Sequence, residues 1–269
     1  MSAIWQASFY ALAVMLAMAF LTWLYSLYRK DVSIVDSLWS LMFLAAAITY
    51  AISLNNLTER NIILLLMITL WSVRLSIFLT VRNSGKEEDR RYQEIRANNQ
   101  PNFSLKSLYL IFGLQAVLAW IISLPLLFAF SSDATIGVIE ILAIALWLTG
   151  FLFESVADQQ LYRFKSDSYN NGKVLNTGLW AYSRHPNYFG EFLIWWAYFL
   201  FALSSGAWWT VLSPLLMTIL LLKVSGVSLM EKDISDRRSA YRQYIETTNA
   251  FIPGKPGLKN KLVHGGQES

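Results

Sequence analysis

A short cluster of polar residues stands immediately before an apolar run in the second half of the chain, and its residue types are those that bind polar or charged ligands. Arg184 and His185 precede Pro186, whose ring suits the first turn of a helix and disfavours helical backbone at the preceding residue. On the helix that begins there, Asn187 and Glu191 are four residues apart and share a face. Because the first N–H groups of a helix lack partners, this arrangement predicts a site for an anionic ligand.

Ionisable residues also lie inside apolar runs, where each costs about 2.5–3.5 kcal/mol at the centre of a membrane helix. Asp36 lies one turn into one such run and Arg74 lies in the middle of the next, so the two are predicted to pair, either for structure or for chemistry. Glu154 and Asp158 are four residues apart near the end of another run. They repel each other unless a cation or hydrogen-bond donors lie between them, or unless water solvates them.

Repeated apolar runs must position these residues. Of the 269 residues, 55% are hydrophobic and 15% are charged, and apolar runs of about 20 residues recur along the chain, which indicates a polytopic membrane protein. We predict an all-α fold that forms a single membrane domain over residues 1–269. Its seven transmembrane helices are expected at residues 3–28, 32–54, 61–81, 107–130, 136–156, 187–203 and 207–230.

Lysine and arginine concentrate in the first, third and fifth connections between these helices and after the seventh helix. The second connection contains only Arg60, and the fourth and sixth contain no basic residue. Because basic loops stay in the cytoplasm, the N-terminus is predicted outside and the C-terminus in the cytoplasm. An amphipathic C-terminal segment with Tyr241, Tyr244 and Ile245 at the membrane surface is expected at 231–249, and disorder is expected at 257–269.

The chain contains no cysteine and only two histidines. Disulfides, thiol catalysis, iron–sulfur clusters and thiolate zinc sites are therefore excluded, and no metal site is predicted. The net charge of +4 follows from the basic connections and does not indicate a nucleic acid as partner. Membrane lipids are the expected partners, and the sequence leaves the oligomeric state open.

Residues 183–191, with the sequence SRHPNYFGE, resemble the signature of the steroid 5-alpha-reductase superfamily of integral-membrane steroid and sterol reductases. The resemblance covers about residues 31–253 and includes the C-terminal stretch YRQY followed by FIP. Within the superfamily, the chain is most similar to a bacterial branch of 5-alpha-reductase-like proteins. The elements shared with that branch lie at residues 31–36, 71–75 and 89–92.

This resemblance implies a seven-helix protein of the bacterial inner membrane that binds NADPH from the cytoplasmic side. It also implies a steroid-like or isoprenoid enone lipid, entering from the bilayer, whose activated C=C bond is reduced. The basic third and fifth connections suit the phosphates of NADPH. The residues implied to bind the cofactor are Arg82, Asp158, Lys165, Arg184, His185, Asn187, Tyr188, Glu191 and Tyr244.

The substrate end departs from the family pattern. Steroid 5-alpha-reductases carry a glutamate in the second span and a tyrosine in the third that hold the enone oxygen, whereas this chain has Asp36 and Trp71 there. The missing tyrosine argues against a 3-oxo-4-ene steroid as substrate but not against the reaction. Hydride addition to the β-carbon builds negative charge on oxygen, so we expect Asp36 and Arg74 to be catalytic residues that polarise the carbonyl.

Three other functions share some of these features. Isoprenylcysteine and phospholipid methyltransferases, which use S-adenosylmethionine, also carry an Arg-His-Pro-x-Tyr element. Asn187 and Glu191 favour a reductase, because such methyltransferases usually lack both. A non-enzymatic scaffold has no need of charged residues within membrane helices. A transporter is disfavoured because no span is expected to contain the glycine or proline break of a discontinuous helix.

Overall fold

The computed structural model describes residues 2–224 and 239–256, and within these ranges it is helical and contains no strand. Residues 257–269, for which disorder is expected, lie outside the described residues, as does the first part of the expected amphipathic segment. The helices are, in chain order, α1 (Ala3–Arg29), α2 (Ile34–Leu54), α3 (Glu59–Asn83), α4 (Arg90–Asn98), α5 (Phe103–Ile122), α6 (Leu124–Phe130), α7 (Val138–Ser166), α8 (Pro186–Ser204), α9 (Trp208–Lys223) and α10 (Ser239–Thr247).

Five of these helices, α1, α2, α3, α5 and α7, are long and apolar enough to cross a membrane. Helix α8 reaches 19 residues, but Asn187, Glu191 and several tryptophans and tyrosines make it less apolar. Helix α9 is apolar but shorter. The all-helical fold is therefore confirmed for the described residues, and the long apolar helices fit an integral membrane protein. The seven spans and their orientation stay predictions.

Local sequence sets the ends of the first three helices. Lys30 and Asn55 adopt left-handed backbone, with φ of 53° and 49°, and so end α1 and α2. Thr58 begins α3, because its side chain accepts a hydrogen bond from the N–H of Asn61 at 3.3 Å. The connections that result are short, so α1, α2 and α3 pack as successive antiparallel neighbours.

The described chain divides into two compact units. The first unit contains the chain up to Ala143 together with Tyr198–Ser213. The second contains Ile144–Ala197 and the described residues from Pro214 onward. In the first unit α2 packs against both α1 and α3, around buried methionine and aromatic side chains. Helices α7 and α8 each contribute residues to both units.

The fourth predicted span, 107–130, is interrupted at Ser123, between α5 and α6. Pro125 has no N–H, so the carbonyl of Ile121 loses its helical partner. The hydroxyl of Ser213 donates a hydrogen bond to that carbonyl at 3.2 Å and replaces the missing bond. The expectation that no span contains a glycine or proline break is therefore wrong. The break is tolerated because the buried Ser213 supplies the hydrogen bond that Pro125 cannot.

Arg60, in the first turn of α3, is buried with 1% of its surface exposed. Its Nε atom donates to the carboxylate of Glu140 at 3.0 Å, in the first turn of α7. Its Nη atoms donate to the carbonyls of Ala129 at 2.9 Å and Phe201 at 2.5 Å, and to the hydroxyl of Ser204 at 2.9 Å. One guanidinium therefore ties α3 to α6 and to the first-unit parts of α7 and α8. Because its charge is matched by Glu140, Arg60 does not oppose the orientation predicted from the basic connections.

Replacing Arg60 by alanine should lower the free energy of unfolding by about 3–5 kcal/mol, because the Glu140 carboxylate would stay buried without its cation. Unfolding of the detergent-purified protein measures this change. Arg90→Ala is the matched control, since Arg90 pairs with Glu94 one turn away and both side chains are 57% exposed. An exposed pair of this kind contributes about 0.3–0.5 kcal/mol. Equal losses for the two variants would contradict the structural role of Arg60.

Candidate functional site

In the first unit, the loop before α2 and the loop before α4 are joined by hydrogen bonds. The N–H of Val32 donates to the carboxylate of Glu88 at 2.9 Å, and the N–H of Asp89 donates to the hydroxyl of Ser33 at 2.7 Å. Asp89 also begins α4, because its carboxylate accepts from the N–H of Arg91 at 3.0 Å. Two elements that are separate in the sequence therefore form one polar structure.

The carboxylate of Asp36 lies at the centre of this structure. The hydroxyl of Tyr92 donates to its Oδ1 at 2.5 Å, and Nη2 of Arg91 donates to its Oδ2 at 2.8 Å. Nε of Arg91 donates to Asp89 at 3.0 Å, and the amide of Gln115 lies 3.4 Å from the Tyr92 hydroxyl. We call Asp36, Asp89, Arg91 and Tyr92 the acid–tyrosine cluster.

Asp36 was predicted to pair with Arg74, and that prediction is wrong. The hydroxyl of Ser40 donates to the carbonyl of Ser72 at 2.9 Å, and the hydroxyls of Ser37 and Thr80 lie 3.0 Å apart, so Asp36 lies near Thr80 in the register of α2 against α3. Arg74 is six residues from Thr80, or about 9 Å along the helix at 1.5 Å per residue. Asp36 therefore lies level with the charged loop that follows α3, and Arg91 reaches it from α4.

Burial and neighbouring charges set the ionisation of the cluster. Burial raises the pKa of Tyr92, and the charge of Asp36 raises it further, so the hydroxyl keeps its proton and remains a donor. Burial alone would lower the pKa of Arg91, but the charges of Asp36 and Asp89 outweigh burial and raise it. Arg91 therefore stays cationic beside two carboxylates.

In the second unit, α7 and α8 cross at two glycines. A Cβ atom on Gly190 would lie 2.5 Å from the backbone nitrogen of Glu154 and 2.6 Å from the carbonyl oxygen of Gly150. No side chain fits there, so the glycine of the SRHPNYFGE motif is needed for close helix packing. The crossing places the first turns of α8 beside the last turns of α7.

This crossing brings together two of the residues implied to bind the cofactor. Nδ2 of Asn187 donates to Oδ1 of Asp158 at 3.2 Å. Oδ1 of Asn187 is buried, and no donor from the described residues reaches it. Asp158 is 3% exposed, and Glu154 and Glu191 in the same unit are 2% and 8% exposed. The second unit therefore holds a buried group of hydrogen-bond acceptors.

The segment before α8 is fixed to the end of α7. The indole N–H of Trp180 donates to the carbonyl of Ala157 at 3.1 Å, and the N–H of Leu179 donates to the side chain of Gln160 at 3.0 Å. His185, 3% exposed, precedes Pro186 at the start of α8. These contacts hold the polar motif in place at the N-terminus of α8.

Arg184 and Tyr244, both implied to bind the cofactor, hold the C-terminal helix. Nη1 of Arg184 donates to the carbonyls of Ile245 at 3.1 Å and Thr248 at 2.6 Å, at the end of α10. The hydroxyl of Tyr244 donates to the carbonyl of Trp180 at 2.5 Å. Tyr244 is 5% exposed and Tyr241 is 9% exposed, so the prediction that these two tyrosines are membrane-surface anchors is wrong. The sequence showed their amphipathic spacing but not the contact of Tyr244 with the segment before α8.

The remaining predicted residues are dispersed. The ring of His185 stacks on that of Tyr188, with centroids 5.6 Å apart. Lys165 is exposed near the end of α7. Arg82 belongs to the first unit, where its Nε donates to Asn83 at 3.1 Å. Arg74 lies in the middle of α3, and its Nε and Nη2 atoms are buried.

Sequence reasoning missed Arg91 and Tyr92 as partners of Asp36. Both lie in the 89–92 element that resembles the bacterial branch, and that element was the available signal. Among the residues that the structure describes, no group of three or more histidine, aspartate or glutamate side chains is arranged to hold a metal ion.

Comparison with known proteins places these sites in a wider group. The chain matches the family described as protein of unknown function, DUF1295, over residues 22–248. It is 28% identical over 272 residues to an uncharacterised protein of Schizosaccharomyces pombe (strain 972), covering 90% of this chain and 78% of that protein. No solved structure matches the chain. The family match includes both the acid–tyrosine cluster and the SRHPNYFGE motif.

The link between the two loops should weaken in acid. Burial raises the pKa of Glu88, but hydrogen bonds from Arg96 and Val32 and the charge of Arg96 outweigh it, so the pKa lies below its ordinary value of 4.5. A lowered pKa contributes stability above the unfolded value of about 4.5, and that stability is lost as the pH falls through the folded pKa. We therefore expect Glu88→Gln to lower the melting temperature at pH 6 and to matter progressively less below about pH 4.5.

Melting temperatures of detergent-purified wild type and Glu88→Gln between pH 3 and 7 measure this effect. Glu87→Gln is the matched control, since Glu87 is the exposed neighbour in the same loop and makes none of the hydrogen bonds described for Glu88. A difference between wild type and Glu88→Gln that stays constant with pH would contradict the ion pair.

Proposed function

Because the chain belongs to the DUF1295 family, which is related to the steroid 5-alpha-reductase-like proteins, we propose that it is a membrane-embedded, NADPH-dependent reductase of an activated C=C bond. The observation that carries this proposal is the contact between Tyr92 and Asp36 at 2.5 Å. In the family pattern, a tyrosine of the third span accompanies the acid of the second span. This chain has Trp71 at the position of that tyrosine. The contact supplies that tyrosine from α4.

On the substrate side, we assign the hydroxyl of Tyr92 to the carbonyl oxygen. Its single hydrogen, donated to Asp36 in the free protein, would turn to the substrate oxygen when the substrate binds. Reduction of an enone builds negative charge on this oxygen, and a buried donor that keeps its proton stabilises that charge. Asp36 and Arg91 hold the tyrosine ring and its hydroxyl in place. Asp36 therefore acts through Tyr92 in this proposal rather than as a direct donor. Arg74 remains a proposed second cation for the carbonyl, since its Nε and Nη2 atoms are buried and a charge acts most strongly away from water.

In this proposal, the ribose and the nicotinamide carboxamide of the cofactor bind to the second unit. The buried Oδ1 of Asn187 accepts hydrogen bonds but receives none from the described residues, while Nδ2 is held by Asp158. A ribose hydroxyl or the nicotinamide carboxamide would supply the missing donor. Glu191 keeps its proposed role as a second residue of α8 at the cofactor. NADPH, when bound, would supply the hydride for the β-carbon.

The cationic residues divide into two roles in this proposal. Lys165 and Arg82 keep their proposed role as cations for the phosphates. Arg184 and Tyr244 would act as positioning residues, because their side chains already hold α10 and the loop before α8. His185 and Tyr188 would order the start of α8 through their stacked rings.

The setting of the enzyme follows from the same family relationship. The proposed substrate is an isoprenoid or steroid-like lipid that enters from the bilayer. The proposed location is the bacterial inner membrane, with seven spans, an outside N-terminus and a site open to the cytoplasm. The exposed apolar residues along α1, such as Phe9, Phe20 and Leu21, support contact with lipid.

Cofactor binding tests the assignment of Asn187. NADPH at about 100 times its dissociation constant should stabilise the detergent-purified wild type by about 2.7 kcal/mol, and it should fail to stabilise Asn187→Ala. Asn171→Ala, an exposed asparagine in the same unit, is the matched control and should respond like wild type. Thermal unfolding with NADPH, NADH and S-adenosylmethionine measures the response. Stabilisation by S-adenosylmethionine alone would instead indicate a methyltransferase.

Turnover tests the assignment of Tyr92. Tyr92→Phe removes one oxyanion donor and should lower kcat by about 10²–10³, while the Kd for NADPH stays unchanged. NADPH consumption with an α,β-unsaturated isoprenoid ketone measures this loss. Tyr109→Phe, at a tyrosine that is 61% exposed on α5, should keep full turnover. Full turnover of Tyr92→Phe would remove the tyrosine from the mechanism, and a weakened Kd would indicate a structural role instead.

A further inference from the structure

A cavity of about 390 Å³ lies in the first unit, at the end of α1 and the beginning of α5, with α4 along one side. Its volume is within the range of small-molecule sites, about 300–1,000 Å³. The residues that matter for its chemistry are Ser26, Leu27, Lys30, Arg96, Phe103 and Ser107. The proposed reductase site does not use this cavity.

Two cations line the cavity, and no carboxylate does. Lys30 follows the last residue of α1, and no acid among the residues described lies within ion-pair distance of its ammonium group. Arg96 uses Nε and Nη2 to bind Glu88 at 2.8 and 2.7 Å, while Nη1 has no acceptor in the described part of the chain. Asp31, next to Lys30, accepts a hydrogen bond from the N–H of Ser33 at 2.8 Å. The cavity therefore offers an ammonium and one edge of a guanidinium to an anion.

The serines of the lining are bonded within their own helices. The hydroxyl of Ser26 donates its hydrogen to the carbonyl of Trp23 at 2.7 Å, and that of Ser107 donates to the carbonyl of Ser104 at 2.8 Å. Each hydroxyl has one hydrogen, and Ser26 and Ser107 are 1% and 0% exposed, so neither serine offers a donor to a ligand. The polar groups that a ligand can use are therefore the two cations.

The apolar part of the lining indicates where the ligand comes from. Phe103 is 3% exposed, and the guanidinium carbon of Arg96 lies 4.4 Å from the centre of its ring. Leu27 belongs to the last turns of α1, and both α1 and α5 are long and apolar enough to cross a membrane. A cavity at the ends of such helices adjoins the polar surface of a bilayer, where the headgroups of phospholipids lie.

We propose that this cavity binds the headgroup of an anionic phospholipid such as phosphatidylglycerol. Lys30 and Nη1 of Arg96 contact the phosphate, beside the exposed apolar side chain of Leu27. This inference does not depend on the reductase activity, because none of these residues belongs to the proposed catalytic or cofactor-binding groups.

Lipid titrations of the detergent-purified, full-length protein, followed by native mass spectrometry, test the site. Phosphatidylglycerol should bind wild type at least tenfold more tightly than phosphatidylcholine, which has no net charge. Lys30→Gln should remove this preference, and Lys30→Arg should restore it. Arg29→Gln is the matched control, because it removes one positive charge from the residue next to Lys30. The side chain of Arg29 does not line the cavity. Melting temperatures without lipid confirm that each variant is folded.

Three results would overturn the proposal. The first is that Lys30→Gln binds phosphatidylglycerol like wild type. The second is that Arg29→Gln and Lys30→Gln lose the preference equally, which would indicate general attraction to a basic surface. The third is that soluble glycerol phosphate displaces phosphatidylglycerol at equal concentration, which would indicate a site for a free phosphate ester.

Discussion

Polar groups buried among apolar helices need partners inside the protein, because lipid tails supply none. Arg60 meets this need with one carboxylate and several carbonyl and hydroxyl groups, and so joins α3 to α6 and to the first-unit parts of α7 and α8. The carbonyl of Ile121, freed by Pro125, finds the hydroxyl of Ser213. The packing of the first unit thus depends on pairs that would be very costly to separate.

The same requirement explains the candidate chemistry. The buried carboxylate of Asp36 is matched by Arg91 and by a donated hydrogen bond from Tyr92, and this match fixes a protonated hydroxyl in a defined place. In the second unit, Oδ1 of Asn187 is an exception, because it is buried and receives no hydrogen bond from the described residues. A buried acceptor without a donor is the kind of group that a ligand completes. Helix α4 also carries Arg96, so it connects the acid–tyrosine cluster with the proposed lipid cavity.

The sequence predicted the parts of the fold that depend on local pattern. Apolar runs predicted the long helices, and Pro186 correctly marked the start of α8. The resemblance assigned both Asn187 and Asp158 to the cofactor, and the structure joins the two by a hydrogen bond. What local pattern could not supply was register. Asp36 was assigned to Arg74 because both are charged and intramembrane, whereas the pairing of Ser37 with Thr80 sets Asp36 level with the loop after α3.

Tertiary contacts also changed the meaning of conspicuous residues. Arg184 stands in a motif that suits an anion, but part of its guanidinium is bound to the carbonyls at the end of α10. Tyr244 has the spacing of a surface anchor, but its hydroxyl is buried against Trp180.

The transfer of hydride to a lipid tests the central claim most directly. Membranes containing the protein should be supplied with NADPH deuterated at the transferable C4 position and with S-adenosylmethionine bearing a deuterated methyl group, and the lipids analysed by mass spectrometry. The account predicts a lipid that gains deuterium from NADPH together with a proton from water. Label arriving only as a methyl group would contradict it.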